Sequence, residues 1–174
     1  MKDQLHVGLG GDVPVLPPFI ALALLAVAGV FEYYKPKKML PEDYGMNSLQ
    51  VRVAAFVGAC AGCYYILVHS TTALNEAGSG VEFTLVNGIA TDVWPYTATR
   101  NPMYMCLVYL VFPAFAVLLD SKWFLFLMSA MFFYLDLLVI PAEERLLGGL
   151  FGAEYEDYVD ETPRWFTVAK KSRH

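Results

Sequence analysis

Charged side chains are scarce in this sequence, and cysteine is scarcer. Asp, Glu, Lys and Arg make up 17% of the 174 residues, against roughly 25% in an average soluble domain. The net charge is −5, with acids and bases scattered through the polar segments, which argues against a nucleic-acid-binding protein because such a protein needs a basic face. Cys60 and Cys63 lie in an apolar run without a histidine cluster, so we interpret them as small helix residues; a metal or redox pair is the alternative.

Apolar residues dominate instead, at 57% of the chain. A protein of this length cannot bury so much apolar surface in a core, so much of it must face lipid. A membrane-spanning helix needs about 20 mostly apolar residues. We predict one all-α, membrane-embedded domain over residues 1–174, with about four transmembrane helices at 17–33, 51–70, 102–119 and 123–140. No basic flank or cleavage site marks the first helix as a signal peptide.

Prolines and short connectors set the helix ends. Pro17 and Pro102 suit the first turn of a helix, where the missing N–H costs nothing, and Pro141 is expected to end the fourth helix. The connector 120–122 is so short that the third and fourth helices must form an antiparallel hairpin. Gly58 and Gly62 form a small-xxx-small pattern, which predicts close packing of the second helix on the first.

The remaining segments are polar or amphipathic. Residues 71–100 form a long polar segment that we expect on the membrane surface. Apolar residues recur at helical spacing in the C-terminal tail, which predicts an amphipathic surface helix: Leu146, Leu147, Leu150, Phe151, Tyr155 and Tyr158. With four spans, the N-terminus, the second loop and the tail share one side, which carries seven Lys and Arg against five on the other. This excess predicts that the shared side is cytoplasmic.

Charges of opposite sign meet at one end of the predicted hairpin. Arg100 precedes the third helix, and Glu143 and Glu144 follow the predicted end of the fourth. A cation at a helix N-terminus and anions at a C-terminus each oppose the helix dipole, by roughly 0.3–1 kcal/mol when exposed. One interpretation is a simple ion pair that closes the hairpin. The other is a ligand that carries both charges, and S-adenosylmethionine, with its carboxylate, ammonium, sulfonium and ribose diol, fits.

The same residues resemble the sequence motifs of a known protein family. The segment Arg100-Asn101-Pro102-Met103-Tyr104 resembles the Arg-His-Pro-x-Tyr motif of the isoprenylcysteine carboxyl methyltransferases, and Glu143-Glu144 resembles their paired glutamates. The tail pattern is also similar, with Phe151-Gly152, Tyr155, Tyr158 and Pro163-Arg164. Order and spacing agree over residues 84–166, which the resemblance identifies as the cofactor-binding half. Phospholipid methyltransferases share the same general plan.

The resemblance implies an S-adenosylmethionine-dependent methyltransferase of the endoplasmic reticulum or bacterial inner membrane, with its active site facing the cytoplasm. Asn101 and Arg164 would be its catalytic residues, and Arg164 would close the pocket or meet the acceptor. The implied cofactor-binding residues are Tyr96, Arg100, Asn101, Pro102, Tyr104, Glu143 and Glu144. Tyr104 could instead be a packing residue, and Tyr155 and Tyr158 could be interfacial anchors.

Two positions depart from the family pattern. Asn101 replaces the usual histidine, and asparagine hydrogen-bonds but does not titrate near neutral pH, which puts a proton-carrying role in doubt. Cys106 replaces a frequent glycine. Separately, Asp136 lies inside an apolar helix, where a carboxylate is costly. It lies two turns before Glu143 and is expected on the same helix face, as a functional group or as an interhelical hydrogen-bonding group.

The expected reaction is methyl transfer to a lipid or prenylated acceptor that enters from the bilayer. Such a displacement needs positioning and exclusion of water rather than a metal or a protein nucleophile. One alternative is a non-catalytic membrane subunit that keeps the fold. Another is an NADPH-dependent sterol-type reductase, which would need a larger and more basic pocket. The sequence leaves the acceptor and the oligomeric state open.

Overall fold

The computed structural model describes residues 17–40, 48–79 and 88–166, and over these ranges the chain is helical with no strand. The all-α class is therefore confirmed. The helices are α1 (Pro17–Tyr34), α2 (Leu49–Glu76), α3 (Pro102–Leu118), α4 (Lys122–Phe151) and α5 (Ala153–Glu161). Part of the predicted polar loop, and the terminal cations Lys2, Lys170, Lys171 and Arg173, lie outside the described residues.

Three helices are long and apolar enough to cross a membrane. They are α1 with 18 residues, α2 with 28 and α4 with 30. Helix α3 is apolar but has 17 residues, which gives it a length of about 25 Å at 1.5 Å per residue. Three of the four predicted spans thus have the length and composition of a transmembrane helix, and the third is shorter.

Helix α2 extends beyond its predicted end near Ser70. The hydroxyl of Ser70 donates to the carbonyl of Ile66 at 2.8 Å, and that of Thr71 donates to Val68 at 2.9 Å. These side chains therefore satisfy their hydrogen bonds within the helix instead of ending it. The helix ends before Gly78, whose φ of 80° lies in the left-handed region that glycine adopts without strain.

Pro141 does not end the fourth helix, contrary to the sequence-based prediction. Helix α4 runs through it to Phe151, and a π-helical turn at Leu135–Val139 precedes it. A proline inside a helix has no backbone N–H to donate to the carbonyl four residues earlier, and its ring clashes with that carbonyl. The wider π-turn before Pro141 moves this carbonyl away and so accommodates both effects. Helix α3 repeats the arrangement, with a π-turn at Leu107–Val111 just before Pro113.

This longer helix changes the setting of Glu143 and Glu144. Both lie inside α4 rather than at its C-terminus, so the argument from the helix dipole is wrong for them. The predicted tail helix also changes, because Leu146 and Phe151 belong to the end of α4. Gly152, with a φ of 53°, separates α4 from α5.

The helices pack in the order α1, α4, α3, α2. The main core lies along α4, between α1 and α3, and its largest fully buried side chains are Phe112, Met131, Leu135 and Ile140. The predicted packing of Gly62 on α1 is wrong, because α2 packs on α3 and a Cβ added at Gly62 would lie 3.9 Å from the side chain of Leu110 in α3. A second, smaller core joins the end of α2 to α5 and contains Ala73, Ala90, Tyr96, Tyr155 and Tyr158.

Candidate functional site

A cavity of about 110 Å³ lies where the end of α2, the start of α3, the second half of α4 and helix α5 meet. All seven residues that the family resemblance implies for cofactor binding line it: Tyr96, Arg100, Asn101, Pro102, Tyr104, Glu143 and Glu144. The rest of the wall is mostly apolar or aromatic, with Leu74, Ile89 and Leu147 among its members. Residues more than forty positions apart in the chain therefore converge on one small space.

Arg100 is the cation of this cavity, and its side chain is only 10% exposed. Its backbone N–H donates to the carbonyl of Pro163 at 2.9 Å, which fixes the start of α3 against the C-terminal segment. Its Nη2 lies 3.0 Å from Oε1 of Glu144. Its Nε and Nη1 are buried without a hydrogen-bond partner among the described residues. A buried charged group with unused N–H donors carries a desolvation cost that a hydrogen-bond acceptor would offset.

Glu144 lies between two arginines. Besides the contact with Arg100, its carboxylate receives two hydrogen bonds from Arg164, from Nε to Oε1 at 3.1 Å and from Nη2 to Oε2. The paired geometry is the strong, directional form of the arginine–carboxylate interaction. Because Arg164 pairs with Glu144 in this way, the orientation of that carboxylate towards Arg100 is fixed.

Glu143 takes a different partner from its neighbour. Glu143 is 7% exposed, and its Oε1 accepts a hydrogen bond from the hydroxyl of Tyr104. Tyr104 also packs against the main core, so packing and hydrogen bonding are both part of its role. The two adjacent glutamates thus present one carboxylate to a phenol and the other to two guanidinium groups.

Asn101 holds the C-terminal segment in place. Its Nδ2 donates to the carbonyl of Arg164 at 3.1 Å, and the buried hydroxyl of Thr99 donates to the same carbonyl at 3.0 Å. The backbone N–H of Asn101 in turn donates to the Thr99 hydroxyl at 3.2 Å. The side-chain amide of Asn101 therefore holds the C-terminal segment through a hydrogen bond, and this role does not depend on gaining or losing a proton.

Arg164 does not line the cavity. It lies behind Glu144 and also reaches Asp136, whose Oδ1 is 3.1 Å from its Nη1. Hydrogen bonding to Glu144 raises the pKa of Arg164 above its ordinary value, so the guanidinium stays charged. Its contacts suit a residue that positions Glu144, and they do not bring its guanidinium to the cavity.

Arg164 forms ion pairs with Asp136 and with Glu144, whereas Glu143 bonds to Tyr104 instead. The predicted spacing of seven residues assumed a regular helix, but the π-turn at Leu135–Val139 adds a residue to the turn and shifts the register. Oδ1 of Asp136 also accepts a hydrogen bond from Nε1 of Trp165 at 2.8 Å. Asp136 therefore anchors two consecutive residues of the C-terminal segment to α4.

Three tyrosines close the cavity on the side of α5. The hydroxyl of Tyr158 donates to the carbonyl of Tyr96 at 2.8 Å, which ties α5 to the loop before α3. Burial, with the nearby charge of Glu144, raises the pKa of Tyr155 to about 12, and burial also raises the pKa values of Tyr96 and Tyr158. Tyr155 and Tyr158 are buried wall residues, so their alternative role as exposed interfacial anchors does not fit their positions.

Sequence reasoning missed several residues that shape the site. Thr99, which no motif marks, contributes a hydrogen bond through its hydroxyl, and the tail pattern that includes Pro163 gave no sign that the Pro163 carbonyl accepts from Arg100. Gly88 lines the cavity, and a Cβ there would lie 2.2 Å from the carbonyl oxygen of Ala77, so only glycine fits. Ser79 and Gly88 hydrogen-bond each other across the segment between them. The only available clue was the abundance of small and polar residues in this loop.

The resemblance to isoprenylcysteine carboxyl methyltransferases rests on the motif residues and on their order along the chain. The residues from Arg100 to Tyr104 in the first motif, the two glutamates, Tyr155 and Tyr158 line the cavity, whereas Phe151, Gly152, Pro163 and Arg164 of the tail pattern do not. Comparison of the chain with protein-family models, with curated proteins and with solved structures finds no match.

Proposed function

We propose that this chain is an integral membrane methyltransferase that binds S-adenosylmethionine in the cavity around Arg100 and methylates a lipid or lipidated acceptor. One observation carries the proposal. The seven residues implied by the family motifs surround one cavity, and a nine-tenths buried arginine there has two N–H groups without partners among the described residues. A ligand with an anionic group would satisfy those donors.

Membrane insertion is part of the same proposal. The outward surfaces of α2 and α4 carry large exposed apolar side chains, among them Val57, Tyr64, Phe126 and Leu137. Exposed apolar surface on long apolar helices is stable in lipid and costly in water. We infer four spans, with the short α3 crossing beside α4, and with the cavity end facing the cytoplasm.

The chemistry of the cavity wall fits S-adenosylmethionine. Arg100 offers unused donors to a carboxylate, while Glu143 and Glu144 offer acceptors to an ammonium or to hydroxyls. The apolar wall residues Leu74, Ile89 and Leu147 suit an adenine ring or an acyl chain. The volume of about 110 Å³ is below the roughly 300–1,000 Å³ of typical ligand pockets. Binding therefore requires the wall to open.

When bound, the cofactor supplies a methyl group already activated on a sulfonium. The protein then has to bind, orient and exclude water, which can lower the barrier by several kcal/mol. Arg100 and the two glutamates would fix the charged end of the cofactor. Arg164 would hold Glu144 in place, and the neutral phenols of Tyr155 and Tyr158 would close the cavity without adding charge.

Direct binding tests the cofactor assignment. We expect purified protein in detergent to bind S-adenosylmethionine and its demethylated product in a calorimetric titration. Arg100→Ala should abolish binding because it removes the unused donors, while Arg100→Lys should restore part of it. Arg145→Ala is the matched control, since Arg145 lies in the same part of α4 but does not line the cavity. Unchanged binding in Arg100→Ala and in Glu144→Gln would reject the site.

Methyl transfer separates an enzyme from the two alternatives. Protein in membranes is incubated with lipid extract and methyl-labelled S-adenosylmethionine, and labelled lipids are resolved by chromatography. Label in a lipid or prenylated product supports the proposal and identifies the acceptor class. Cofactor binding without transfer to any extract would favour a non-catalytic subunit. NADPH oxidation without methyl transfer would favour a reductase.

A further inference from the structure

A surface groove of about 590 Å³ lies on the outer side of the cavity wall, between the second half of α4 and α5. The exposed residues Glu156 and Val159 are part of its lining. Glu144 and Tyr155 line both this groove and the cavity around Arg100. These two side chains therefore form a partition between the small cavity and the outer groove.

The two members of the partition are held differently. Glu144 is fixed, because its carboxylate lies 3.0 Å from Nη2 of Arg100 and receives two hydrogen bonds from Arg164. Tyr155 is 4% exposed, but its hydroxyl forms no hydrogen bond within the part of the chain that the structure describes. Tyr155 is therefore the member of the partition that can move.

Helix α5, which carries Tyr155, is only lightly attached to the other helices. Of its nine residues, Tyr155 and Tyr158 are the two that are buried. The hydroxyl of Tyr158 donates to the carbonyl of Tyr96 at 2.8 Å, and among the described residues this is the one side-chain hydrogen bond of α5. Loss of a single hydrogen bond and of two ring contacts would therefore release the helix.

The two ends of α5 have different freedom. At its start, Gly152 has a φ of 53° and a ψ of −125°, and a Cβ there would meet nothing within 4 Å. Glycine adopts such conformations without strain. After its end, the carbonyl of Pro163 accepts the backbone N–H of Arg100 at 2.9 Å, and the carbonyl of Arg164 accepts from Nδ2 of Asn101 at 3.1 Å. The helix thus lies between a permissive glycine and a fixed segment.

We propose that α5 is a gate, which pivots between Gly152 and Pro163 and lifts Tyr155 out of the partition, so that cavity and groove become one ligand site. The cavity alone has about 110 Å³ and the groove about 590 Å³, and the joined space falls within the roughly 300–1,000 Å³ of typical ligand pockets. The inference rests on the proposed function for the identity of the ligand, S-adenosylmethionine. Opening of the gate can be measured without any ligand.

Labelling of a thiol in the cavity wall measures this opening. Ala90 lines the cavity, is 8% exposed and packs in the same cluster as Tyr155 and Tyr158. The full chain with Ala90→Cys in a cysteine-free background is purified in detergent and treated with a small methanethiosulfonate, and mass spectrometry follows the modified fraction. Tyr158→Phe should raise the labelling rate about fivefold, because it removes the hydrogen bond that keeps the gate closed.

Gly152→Ala should also raise the labelling rate by about fivefold, because alanine disfavours the backbone conformation of the closed gate. Two matched variants should leave the rate within about twofold of the unsubstituted protein. Tyr155→Phe removes a hydroxyl without a hydrogen bond in the described ranges, and Asp136→Asn weakens only the segment after α5. A thiol at the exposed position Glu154 should react equally fast with each of these changes.

Unchanged labelling of Ala90→Cys in folded Tyr158→Phe and Gly152→Ala proteins would overturn the gate, with folding checked by circular dichroism. Equal acceleration by Asp136→Asn would also overturn it, because the segment after α5 would then be the part that opens. Acceleration by Tyr158→Phe without acceleration by folded Gly152→Ala would assign the opening to the loop around Tyr96 instead.

Ligand kinetics separate the gate from the proposed function. In stopped-flow fluorescence, Tyr158→Phe should raise the association rate constant for S-adenosylmethionine, whereas loss of a ligand contact alone would raise only the dissociation rate constant. Accelerated labelling without any binding of S-adenosylmethionine would support the gate and reject the proposed function. Normal binding with labelling and association rates that ignore the changes at Tyr158 and Gly152 would reject the gate alone.

Discussion

The guanidinium of Arg164 and the carboxylate of Glu144 meet through two parallel hydrogen bonds, one of them 3.1 Å long between Nε and Oε1. They join the interior of α4 to a segment that follows α5. Because the same carboxylate contacts Arg100 on its other side at 3.0 Å, the pair connects the end of the chain to the cavity. The stability of this region should therefore respond to changes at Glu144.

Replacing Glu144 by glutamine should destabilise the protein by about 2–3 kcal/mol, below the roughly 3–5 kcal/mol for breaking a fully buried pair, because Glu144 is 20% exposed. The change leaves Arg100 and Arg164 without their shared anion. Thermal unfolding in detergent measures the effect. Glu154→Gln, which removes the same charge from an exposed position on α5, should change stability by less than about 0.5 kcal/mol. Equal shifts in the two variants would contradict this account.

Asp136 should control how firmly the C-terminal segment is held. Asp136→Ala removes the acceptor of both Arg164 and Trp165, whereas Asp136→Asn retains an oxygen for the indole N–H. We expect trypsin to cleave after Arg164 fastest in the alanine variant, at an intermediate rate in the asparagine variant and slowest in the wild type. Mass spectrometry of the peptide that begins at Trp165 gives the rates. Identical rates in all three proteins would show that Asp136 does not anchor the segment.

Two neighbouring tyrosines provide a matched test of the contact between α5 and the loop. Tyr158→Phe removes a hydrogen bond of 2.8 Å and leaves the carbonyl of Tyr96 without its donor, at a cost of about 1–2 kcal/mol. Tyr155 is equally buried, but its hydroxyl has no hydrogen-bond partner in the described ranges, so Tyr155→Phe should be nearly neutral. Denaturant or thermal unfolding compares the two variants. A larger loss in Tyr155→Phe would refute the assignment.

Alkaline titration should separate the buried tyrosines from the exposed ones. Exposed phenols ionise near pH 10, whereas the pKa of Tyr155 is about 12 and those of Tyr96 and Tyr158 are raised by burial. A raised folded-state pKa for an acid stabilises the fold below pH 10, and this contribution is lost as the pH rises from about 10 through the folded-state value. Absorbance at 295 nm follows the ionisation. In Tyr155→Phe the late step should shrink by one tyrosine, and ionisation of every tyrosine near pH 10 in folded protein would contradict the burial.

Labelling of single cysteines tests whether α4 crosses the membrane and which of its ends faces the cytoplasm. In a cysteine-free background, Lys122→Cys places a thiol at the start of α4 and Glu154→Cys places one on α5, just beyond the end of α4, and both parent positions are exposed. An impermeant maleimide added to intact cells should label Lys122→Cys, and it should label Glu154→Cys only after permeabilisation. The reversed pattern would place the cavity on the outer side. Labelling of both positions from outside would show that α4 does not cross the membrane.

Local sequence patterns sufficed for most of the helices. Runs of apolar residues located α1 and most of α2, and the short connector before Lys122 brought Arg100 to the same end as Glu143 and Glu144. These inferences succeed because apolar length and hairpin geometry depend on neighbouring residues alone. Two predictions from the sequence were wrong. Pro141 does not end a helix, because a π-turn just before it accommodates the proline, and Gly62 faces α3 instead of α1.

The tertiary structure decided which hydrogen-bond and ion-pair partners each charged residue of the site has. The sequence by itself determined an apolar helical chain with a basic group and an acidic pair at one end of a hairpin. It could not assign Glu143 to Tyr104 and Glu144 to Arg100 and Arg164, because adjacent residues on a helix point about 100° apart and their orientation depends on the register of the whole helix. Nor could it predict that Arg164 lies behind the cavity wall, because that position depends on contacts with Asp136 and Trp165 that form only when the chain is folded.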